Sequence, residues 1–345
     1  MSKVVCKKCI LDSEMPGITI NEDTGLCHFC ETFKPLTESD KEKYLADMEE
    51  IFDRIRGRGE YDVIYALSGG KDSSYTLYKL KKDYPFLKVL AVLFNNGFTS
   101  ENAIENAKKM CEITGSDYYE LTMDRQQLCS AWKKAADSVD AFPKFAKYRA
   151  SDICNTCISI IKQKLIEYAI ARKAPVIIFA FTAGQAPNPI IKLNYNFIKL
   201  SRNLFEKQLE KIGIDDKDES FMMKKSVIEK MDKDNPPMII HPLCMWDYNE
   251  DKVVETIVKV GWKPPKLNDS NSTNCKLNSL ACHNHLEKYG IHPYAFDIAG
   301  IVRNGDMSRE VGLEKLRQEL SQTLIDEVSK ELKVNVIPLR NHDLI

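Results

Sequence analysis

A strand-length apolar segment, a pair of glycines and a helix-like segment follow one another between residues 61 and 82. The apolar segment is YDVIYAL at residues 61–67, the loop is SGGKDSS at residues 68–74, and residues 75–82 have helical spacing. A buried strand that passes through glycines into a helix places backbone N–H groups at the positive end of that helix, where phosphate binds. This succession predicts a strand–loop–helix unit that holds the phosphates of a nucleotide.

The residue types of the loop suit that role one by one. The two glycines allow close approach of the backbone, the lysine supplies positive charge, and the serines supply hydroxyl donors. The aspartate is expected to place Mg²⁺ or to cap the helix. The predicted phosphate and magnesium contacts are Ser68, Gly69, Gly70, Lys71, Asp72, Ser73 and Ser74.

The rest of the chain alternates between apolar strands and helices. Strands are predicted at residues 61–67, 87–94, 117–122, 175–181 and 238–244, with helices between them. Such alternation is typical of an α/β fold with a doubly wound parallel sheet. The predicted organisation is a ribbon at 1–36, a connecting helix at 37–60, a nucleotide domain at 61–264 and a small helical region at 265–345. Residues 188–233 are expected to form helices over the mouth of the site.

The loop does not have the spacing of a Walker A motif or of Gly-x-Gly-x-x-Gly. It resembles the SGGxDS loop of the PP-loop ATP pyrophosphatase superfamily, over residues 60–260. The resemblance implies that ATP is cleaved to AMP and pyrophosphate, and that a carbonyl or amide oxygen of the substrate is adenylated and then displaced. It also implies that Phe94 and Asn95 lie near the adenine and that the loop carrying Gly184 faces the nucleotide.

Two Cys-x-x-Cys pairs occupy the turn-rich N-terminal segment. Cys6 and Cys9 form the first pair, and Cys27 and Cys30 form the second. Four thiolates at this spacing are typical of a tetrahedral zinc ribbon, in which the metal organises a segment that lacks a core of its own. His28, inside the second pair, is an alternative ligand. The sequence therefore predicts structural Zn²⁺.

A second cysteine set consists of Cys154, Cys157 and Cys244, each at an edge expected to face the nucleotide. The pattern resembles the iron–sulfur-dependent tRNA 2-thiolation enzymes, which implies that these three thiolates hold a [4Fe–4S] cluster with one open iron. A pair that relays a persulfide without a cluster, or buried thiols without chemistry, are the alternatives. The predicted catalytic residues are Lys71, Asp72, Cys154, Cys157 and Cys244.

A looser group near the C-terminus fits no standard metal site. It contains Cys275, Cys282, His283 and His285, for which a second zinc or a nucleophile is conceivable.

Both ends of the chain resemble another family. Residues 6–30 and 297–313 are similar to the corresponding segments of N-acetyl sugar amidotransferases, which are also PP-loop proteins. This resemblance implies amidation of an acetamido group with ammonia from a partner glutaminase. The chain itself contains no recognisable glutaminase domain.

Composition narrows the setting. The chain has 345 residues, a formal net charge of −1 and 11 cysteines. The balanced charge favours a small-molecule acceptor over tRNA, and clustered cysteines without an apolar leader or spanning segment suit a reducing, cytoplasmic setting away from membranes. The oligomeric state, including a homodimer, stays open.

Three functions compete at this point. The first is a sulfur-inserting enzyme with a sulfur donor, and the second is an ammonia-using sugar amidotransferase. The third is a non-catalytic ATP-binding zinc scaffold. The cysteine pattern favours the first, and the likeness at both ends favours the second.

Overall fold

The structure, a computed structural model, describes residues 3–186, 188–265 and 274–336. Residues 266–273 and 337–345 of the predicted C-terminal region lie outside the described residues. Six strands form one sheet in the order β3-β2-β1-β4-β6-β5. They are β1 (Val63–Ala66), β2 (Val89–Phe94), β3 (Asp117–Leu121), β4 (Val176–Ile178), β5 (Ile190–Lys192) and β6 (Met238–Ile240).

Helices connect and cover the strands. They are α1 (His28–Thr32), α2 (Glu38–Ile55), α3 (Lys71–Asp83), α4 (Glu101–Thr114), α5 (Arg125–Asp137), α6 (Lys144–Lys147), α7 (Asp152–Ala171), α8 (Tyr195–Ile212), α9 (Lys225–Glu229), α10 (Glu250–Lys259), α11 (Leu277–Tyr289), α12 (Ala295–Asn304), α13 (Arg309–Arg317) and α14 (Gln322–Leu332).

The sheet is parallel except at one edge, where β5 runs antiparallel to β6. Adjacent residues of β1 face opposite sides, as the period of two in a strand requires. Tyr65 packs in the core under α2, α3, α4 and α10, whereas Ile64 packs in the core under α7, α8 and α9. The predicted α/β class with a mostly parallel, doubly covered sheet is confirmed.

Parallel pairing places the carboxyl ends of five strands, β1, β2, β3, β4 and β6, at one end of the sheet. Tyr65 of β1 lies opposite Ala91 of β2 and Ile178 of β4, and Ile178 lies opposite Ile240 of β6. The segments that follow these strands therefore emerge side by side, which is where ligands bind in open α/β sheets.

Residues 188–233, where the sequence pattern is least informative, contain a strand that was not predicted. The short β5 pairs with β6, and α8 and α9 follow it. Arg202 of α8 is 1% exposed, and it donates to Glu219, Glu206 and the carbonyl of Met223. The buried guanidinium of Arg202 therefore ties α8 to residues 219–223, in addition to the apolar residues that the segment buries.

The C-terminal helices pack on two different parts of the molecule. Helices α11 and α14 share a core with α5 and α7, whereas α12 and α13 share a core with the N-terminal ribbon. The bounds of the four predicted regions remain a prediction. Among the described residues, no helix is both long and apolar enough to cross a bilayer.

Candidate active site at the carboxyl edge of the sheet

The phosphate loop leaves β1 and enters α3, whose first residue is Lys71 and whose N-cap is Gly70. Gly69 has φ of +73°, and a Cβ at this position would lie 2.0 Å from the carbonyl oxygen of Ala103. Only glycine fits there, because any side chain would collide with the backbone of α4. Trp262 Nε1 donates to the Gly69 carbonyl at 3.0 Å. The loop is thereby fixed from a residue almost two hundred positions away.

The loop serines divide into two kinds. Ser68 and Ser73 join their hydroxyls at 2.9 Å, and the Ser68 N–H donates to Ser73 Oγ at 3.2 Å. Ser74 is fully buried, and its Oγ has no hydrogen-bond partner among the described residues. A phosphate contact at Ser74 stays a prediction.

Lys71 and Asp72 form the charged part of the loop. Lys71 Nζ lies 2.9 Å from Asp72 Oδ2 and 3.9 Å from Glu250 Oε1, and the Tyr248 hydroxyl donates to Asp72 Oδ1 at 2.8 Å. Burial alone would lower the pKa of Lys71, but the two carboxylates overcome burial and raise it. Lys71 is therefore a fixed cation, and Asp72 is a fixed oxygen donor of the kind that Mg²⁺ accepts.

The turn after β2 uses its polar groups internally. Asn95 Nδ2 donates to Glu120 at 2.8 Å and its Oδ1 accepts from the Gly97 N–H at 3.1 Å. Phe94 is half-buried, and Phe98 is 4% exposed. Contact of Phe94 and Asn95 with an adenine stays a prediction.

Gly184 lies in the loop that follows β4, residues 182–186. This glycine is explained by close packing on the backbone of α12. The same loop is closed by hydrogen bonds from the Gln185 and Ala186 N–H groups to the Thr182 carbonyl, both at 2.9 Å. Its position beside the phosphate loop follows from the pairing of β4 with β1. A nucleotide contact at Gly184 stays a prediction.

The four N-terminal cysteines converge in a single group. Their sulfurs lie within 4.8 Å of one another, and all four residues are buried. His28 turns away and pairs its Nδ1 with the Thr19 hydroxyl at 3.2 Å. Four thiols at this separation suit one tetrahedral ion, and soft thiolates suit Zn²⁺. The predicted metal-binding ribbon is supported, with the cysteines and without His28.

Cys154 and Cys157 lie in the first two turns of α7, which Ser151 caps by accepting from the Cys154 N–H at 3.1 Å. Asn96 Nδ2 donates to Cys157 Sγ at 3.8 Å and to Cys275 Sγ at 3.2 Å. The three cysteines are half-buried. We call Cys154, Cys157 and Cys275 the thiol cluster.

Asn96 is held so that its NH₂ group faces these sulfurs. Its Oδ1 accepts from the Phe98 N–H at 2.9 Å and from the Thr99 hydroxyl at 3.2 Å, and its carbonyl accepts from Trp132 Nε1 at 2.9 Å. Burial, followed by the neighbouring thiols Cys275 and Cys154, raises the pKa of Cys157. A fixed amide donor thus partly offsets an arrangement that disfavours thiolates.

Cys244 does not join this group. It is 2% exposed, and its thiol donates to the carbonyls of Phe181 at 3.4 Å and Ala186 at 3.2 Å. Burial and nearby Asp306 raise its pKa to about 12. A thiolate between two carbonyl oxygens would be repelled, so this cysteine is a poor metal ligand as placed. Neither the predicted set Cys154, Cys157 and Cys244 nor the thiol cluster forms a compact ligand group: the only group of three or more candidate ligands among the described residues is the N-terminal one.

Asn274 and Cys275, just before α11, also lie at this end of the sheet, and the sequence analysis did not predict that position. Cys275 pairs with Thr99 in an isolated bridge, and the Ser100 N–H donates to the Asn274 carbonyl at 3.0 Å. Asn274 Nδ2 donates to the Ser68 carbonyl at 3.4 Å. Because no motif marks this segment, only the fold could reveal that it lies on the phosphate loop.

The remaining members of the looser C-terminal group are enclosed in α11. Cys282, His283 and His285 are between 1% and 3% exposed. A second zinc site is not formed among the described residues, since these side chains bring no third candidate ligand into reach. Of that group, only Cys275 reaches the edge of the sheet.

Comparison with known proteins gives relatives of two kinds. No family model matches the chain. The uncharacterized protein MJ1599 of Methanocaldococcus jannaschii is 25% identical over 330 residues, which are 95% of this chain and 97% of that protein.

Several solved structures are similar to this chain at low sequence identity. The U34-tRNA thiolase NcsA of Methanococcus maripaludis, with its [4Fe-4S] cluster, is 18% identical with a TM-score of 0.36 and covers 96% of this chain and 89% of its own. The NH3-dependent NAD synthetase of Campylobacter jejuni is 15% identical with a TM-score of 0.30, over 67% of this chain and 100% of its own. At such TM-scores the superpositions are loose, so the function is inferred from this chain's own residues.

Proposed function

We propose that the protein is an ATP-dependent enzyme that forms AMP and pyrophosphate and replaces a carbonyl or amide oxygen of an acceptor with sulfur. One observation supports this most directly: the phosphate loop and the thiol cluster lie at the same edge of the sheet, joined by Asn274 and Cys275, which are adjacent in sequence. The acceptor's identity, a small molecule or a tRNA base, is left to the test below.

The first step uses the phosphate loop. The acceptor oxygen attacks the α-phosphorus of ATP, the bond to the β-phosphate oxygen breaks, and pyrophosphate leaves. Lys71 and the N–H groups at the start of α3 neutralise the charge that develops on pyrophosphate. Asp72 would hold Mg²⁺, which offsets further negative charge on the phosphates.

The second step uses the other side of the edge. A sulfide equivalent attacks the activated carbon, and AMP leaves with the original oxygen. The half-buried thiols of Cys154, Cys157 and Cys275 are soft ligands that would hold a metal carrying the sulfide, and Asn96 donates to two of them. An iron–sulfur cluster bound there would supply an open iron that carries sulfide. Cys154 and Cys157 belong to both candidate donor sets, and we prefer Cys275 to Cys244 as the third ligand because Asn96 donates to Cys157 and Cys275 alike.

Amidation is the second candidate, and a specific contact favours it. The two segments that resemble sugar amidotransferases meet in space: Arg309 Nε donates to the carbonyls of Cys6 at 3.2 Å and Cys9 at 3.0 Å. The likeness thus covers one structural module of ribbon and α12–α13. In this reading ammonia from a partner glutaminase replaces sulfide, and the thiol cluster has no role.

The test measures pyrophosphate release with a nucleotide-linked N-acetyl sugar or unmodified tRNA, each with sulfide or with ammonia. Sulfide-dependent release with a thiocarbonyl product supports the proposal, and ammonia-dependent release with an amidine product supports the second candidate. Lys71→Ala should lower the rate on the order of a hundredfold, or about 2.7 kcal/mol, because the leaving charge loses its cation. Lys79→Ala, on the same helix, is the matched control. Full activity in Lys71→Ala would refute catalysis at this loop.

A further inference from the structure

Helix α12 lies between the N-terminal ribbon and the loop at residues 182–186. On the ribbon side, Arg303 Nε donates to Cys30 Sγ at 3.3 Å, and its Nη2 lies 3.9 Å from Cys9 Sγ. The guanidinium also stands over the rings of Phe29 and Phe33, at 5.6 and 5.8 Å. One side chain of α12 therefore contacts two of the four candidate metal ligands and the aromatic residues beside them.

The contact between Arg303 and the sulfurs depends on charge. Four thiolates around one Zn²⁺ carry a net charge of −2, and a hydrogen bond from a cation to a charged sulfur is stronger than one to a neutral thiol. Partners of this kind around metal ligands commonly change metal affinity ten- to a hundredfold. A metal-loaded ribbon therefore holds Arg303, and with it the end of α12, more firmly than an empty one.

The other side of α12 approaches the loop closely with its backbone. A Cβ on Gly300 would lie 2.2 Å from the Gly184 carbonyl oxygen, and a Cβ on Gly184 would lie 2.4 Å from the Ile301 nitrogen. Such an approach between two main chains leaves no flexible side chain to absorb a shift. Movement of α12 must therefore be transmitted to the loop.

A polar contact fastens the same two elements. Arg149 Nε donates to Asp297 of α12 at 2.9 Å, and Arg149 Nη2 donates to the Gln185 carbonyl in the loop. The loop is thus tied to α12 both at Gly184 and, through Arg149, at Gln185. Its far end is bound to the sheet edge by the thiol of Cys244, which donates to the Ala186 carbonyl.

We propose that metal binding in the N-terminal ribbon positions the loop at residues 182–186 through α12, with Arg303 and Gly300 as the positioning residues. The loop follows β4, which pairs with β1, so it leaves the same end of the sheet as the phosphate loop. The relevance to catalysis rests on the proposed function, whereas the coupling itself does not. If the ribbon only stabilised its own segment, hydrogen exchange at residues 182–186 would not depend on zinc.

The experiment measures hydrogen exchange of the full chain, loaded with zinc or stripped by dialysis against a chelator. In the wild type, we expect zinc removal to speed exchange at residues 182–186 at least about tenfold relative to β1 and β2, which report global opening. Unchanged exchange in the loop after verified zinc loss overturns the proposal. The measurement needs no nucleotide or acceptor, so the hydrogen-exchange result can be interpreted even if the proposed function is wrong.

Gly300→Ala separates transmission from metal binding. The added methyl pushes α12 from the loop, so loop exchange should be fast with zinc present and should gain little more when zinc is removed. Zinc dependence as large as in the wild type would overturn the role of α12.

Arg303→Gln tests the ribbon end of α12. It should release zinc to a competing chelator ten- to a hundredfold more readily and Arg303→Lys less so. Arg56→Gln, which loses a guanidinium over Phe86 at 4.6 Å, is the matched control. Zinc retention equal to that of the wild type in Arg303→Gln would remove Arg303 from the proposal; the exchange comparison with Gly300→Ala decides the coupling if Arg303→Gln does not fold.

Discussion

The phosphate loop and the thiol cluster serve the same edge of the sheet but are built in different ways. The loop is seven consecutive residues, of which three follow β1 and four form the start of α3. The thiol cluster takes two cysteines from α7 and Cys275 from the segment before α11. Asn96, which follows β2, donates to two of these sulfurs and is 179 positions away from Cys275. A contiguous site keeps its chemistry in the sequence, whereas an assembled one acquires it from the fold.

The largest effect is expected when serine replaces one of two cysteines, Cys275 in the thiol cluster or Cys244 outside it. Cys275→Ser should lower sulfur transfer on the order of a hundredfold, about 2.7 kcal/mol in the transition state, because the cluster loses a thiol. Cys244→Ser should stay within about threefold, since a serine hydroxyl can donate to the same two carbonyls. Product formation by mass spectrometry measures both. The opposite ranking would restore the set that the sequence predicted.

Acid should lower the free energy of unfolding through His241, which lies after β6. His241 follows β6, is 4% exposed, and pairs its Nδ1 with the Phe179 carbonyl at 3.2 Å. Burial lowers its pKa from 6.5 to about 4. The unfolded chain therefore binds the proton first, so the free energy of unfolding is full above pH 6.5 and falls towards pH 4, by at most about 1.4 kcal/mol per pH unit.

Urea unfolding at several pH values checks this, with His241→Phe as the comparison. The variant should be less stable at pH 7 because the Phe179 carbonyl loses its partner, yet its stability should fall less steeply on acidification. Buried His285 and His292, whose pKa values burial lowers to about 3 and about 4, remain in both proteins. Equal slopes would mean that His241 does not titrate on unfolding.

The smallest effect is expected at the junction of the two regions. Asn274→Ala removes the hydrogen bond to the Ser68 carbonyl and should raise the KM for ATP three- to tenfold, about 1 kcal/mol, with kcat little changed. Asn235→Ala, which removes a contact to Asp232 far from the loop, is the control. A fall in kcat as large as the rise in KM would show that Asn274 acts on chemistry rather than on nucleotide binding.

Residues that act through neighbours in sequence could be predicted, and those that act across the fold could not. The spacing of Cys6, Cys9, Cys27 and Cys30 anticipated their convergence, as SGGKDSS anticipated the loop. Cys244 and Cys275 could not be ranked, because which of them meets Cys157 depends on the bridge between Thr99 and Cys275.

The packing partners of two further residues, Ser74 and Gly184, could not be predicted from the sequence either. The sequence predicts a phosphate contact at Ser74, whose side chain is buried in the structure. The sequence predicts a nucleotide contact at Gly184, and the structure explains the glycine by its close packing on the backbone of α12. In both cases the residue type is informative, but the partner is set by packing between elements distant in sequence.

The ribbon's contacts with the C-terminal helices also bear on the order of folding. Cys30 and Arg303 are 273 positions apart, so a chain emerging from the ribosome presents its four thiols long before α12 and α13 exist to cover them. Contacts between distant positions form late and slow folding. The nascent ribbon is therefore open to metal capture, and to oxidation, throughout synthesis of the central domain. Only the finished chain encloses it.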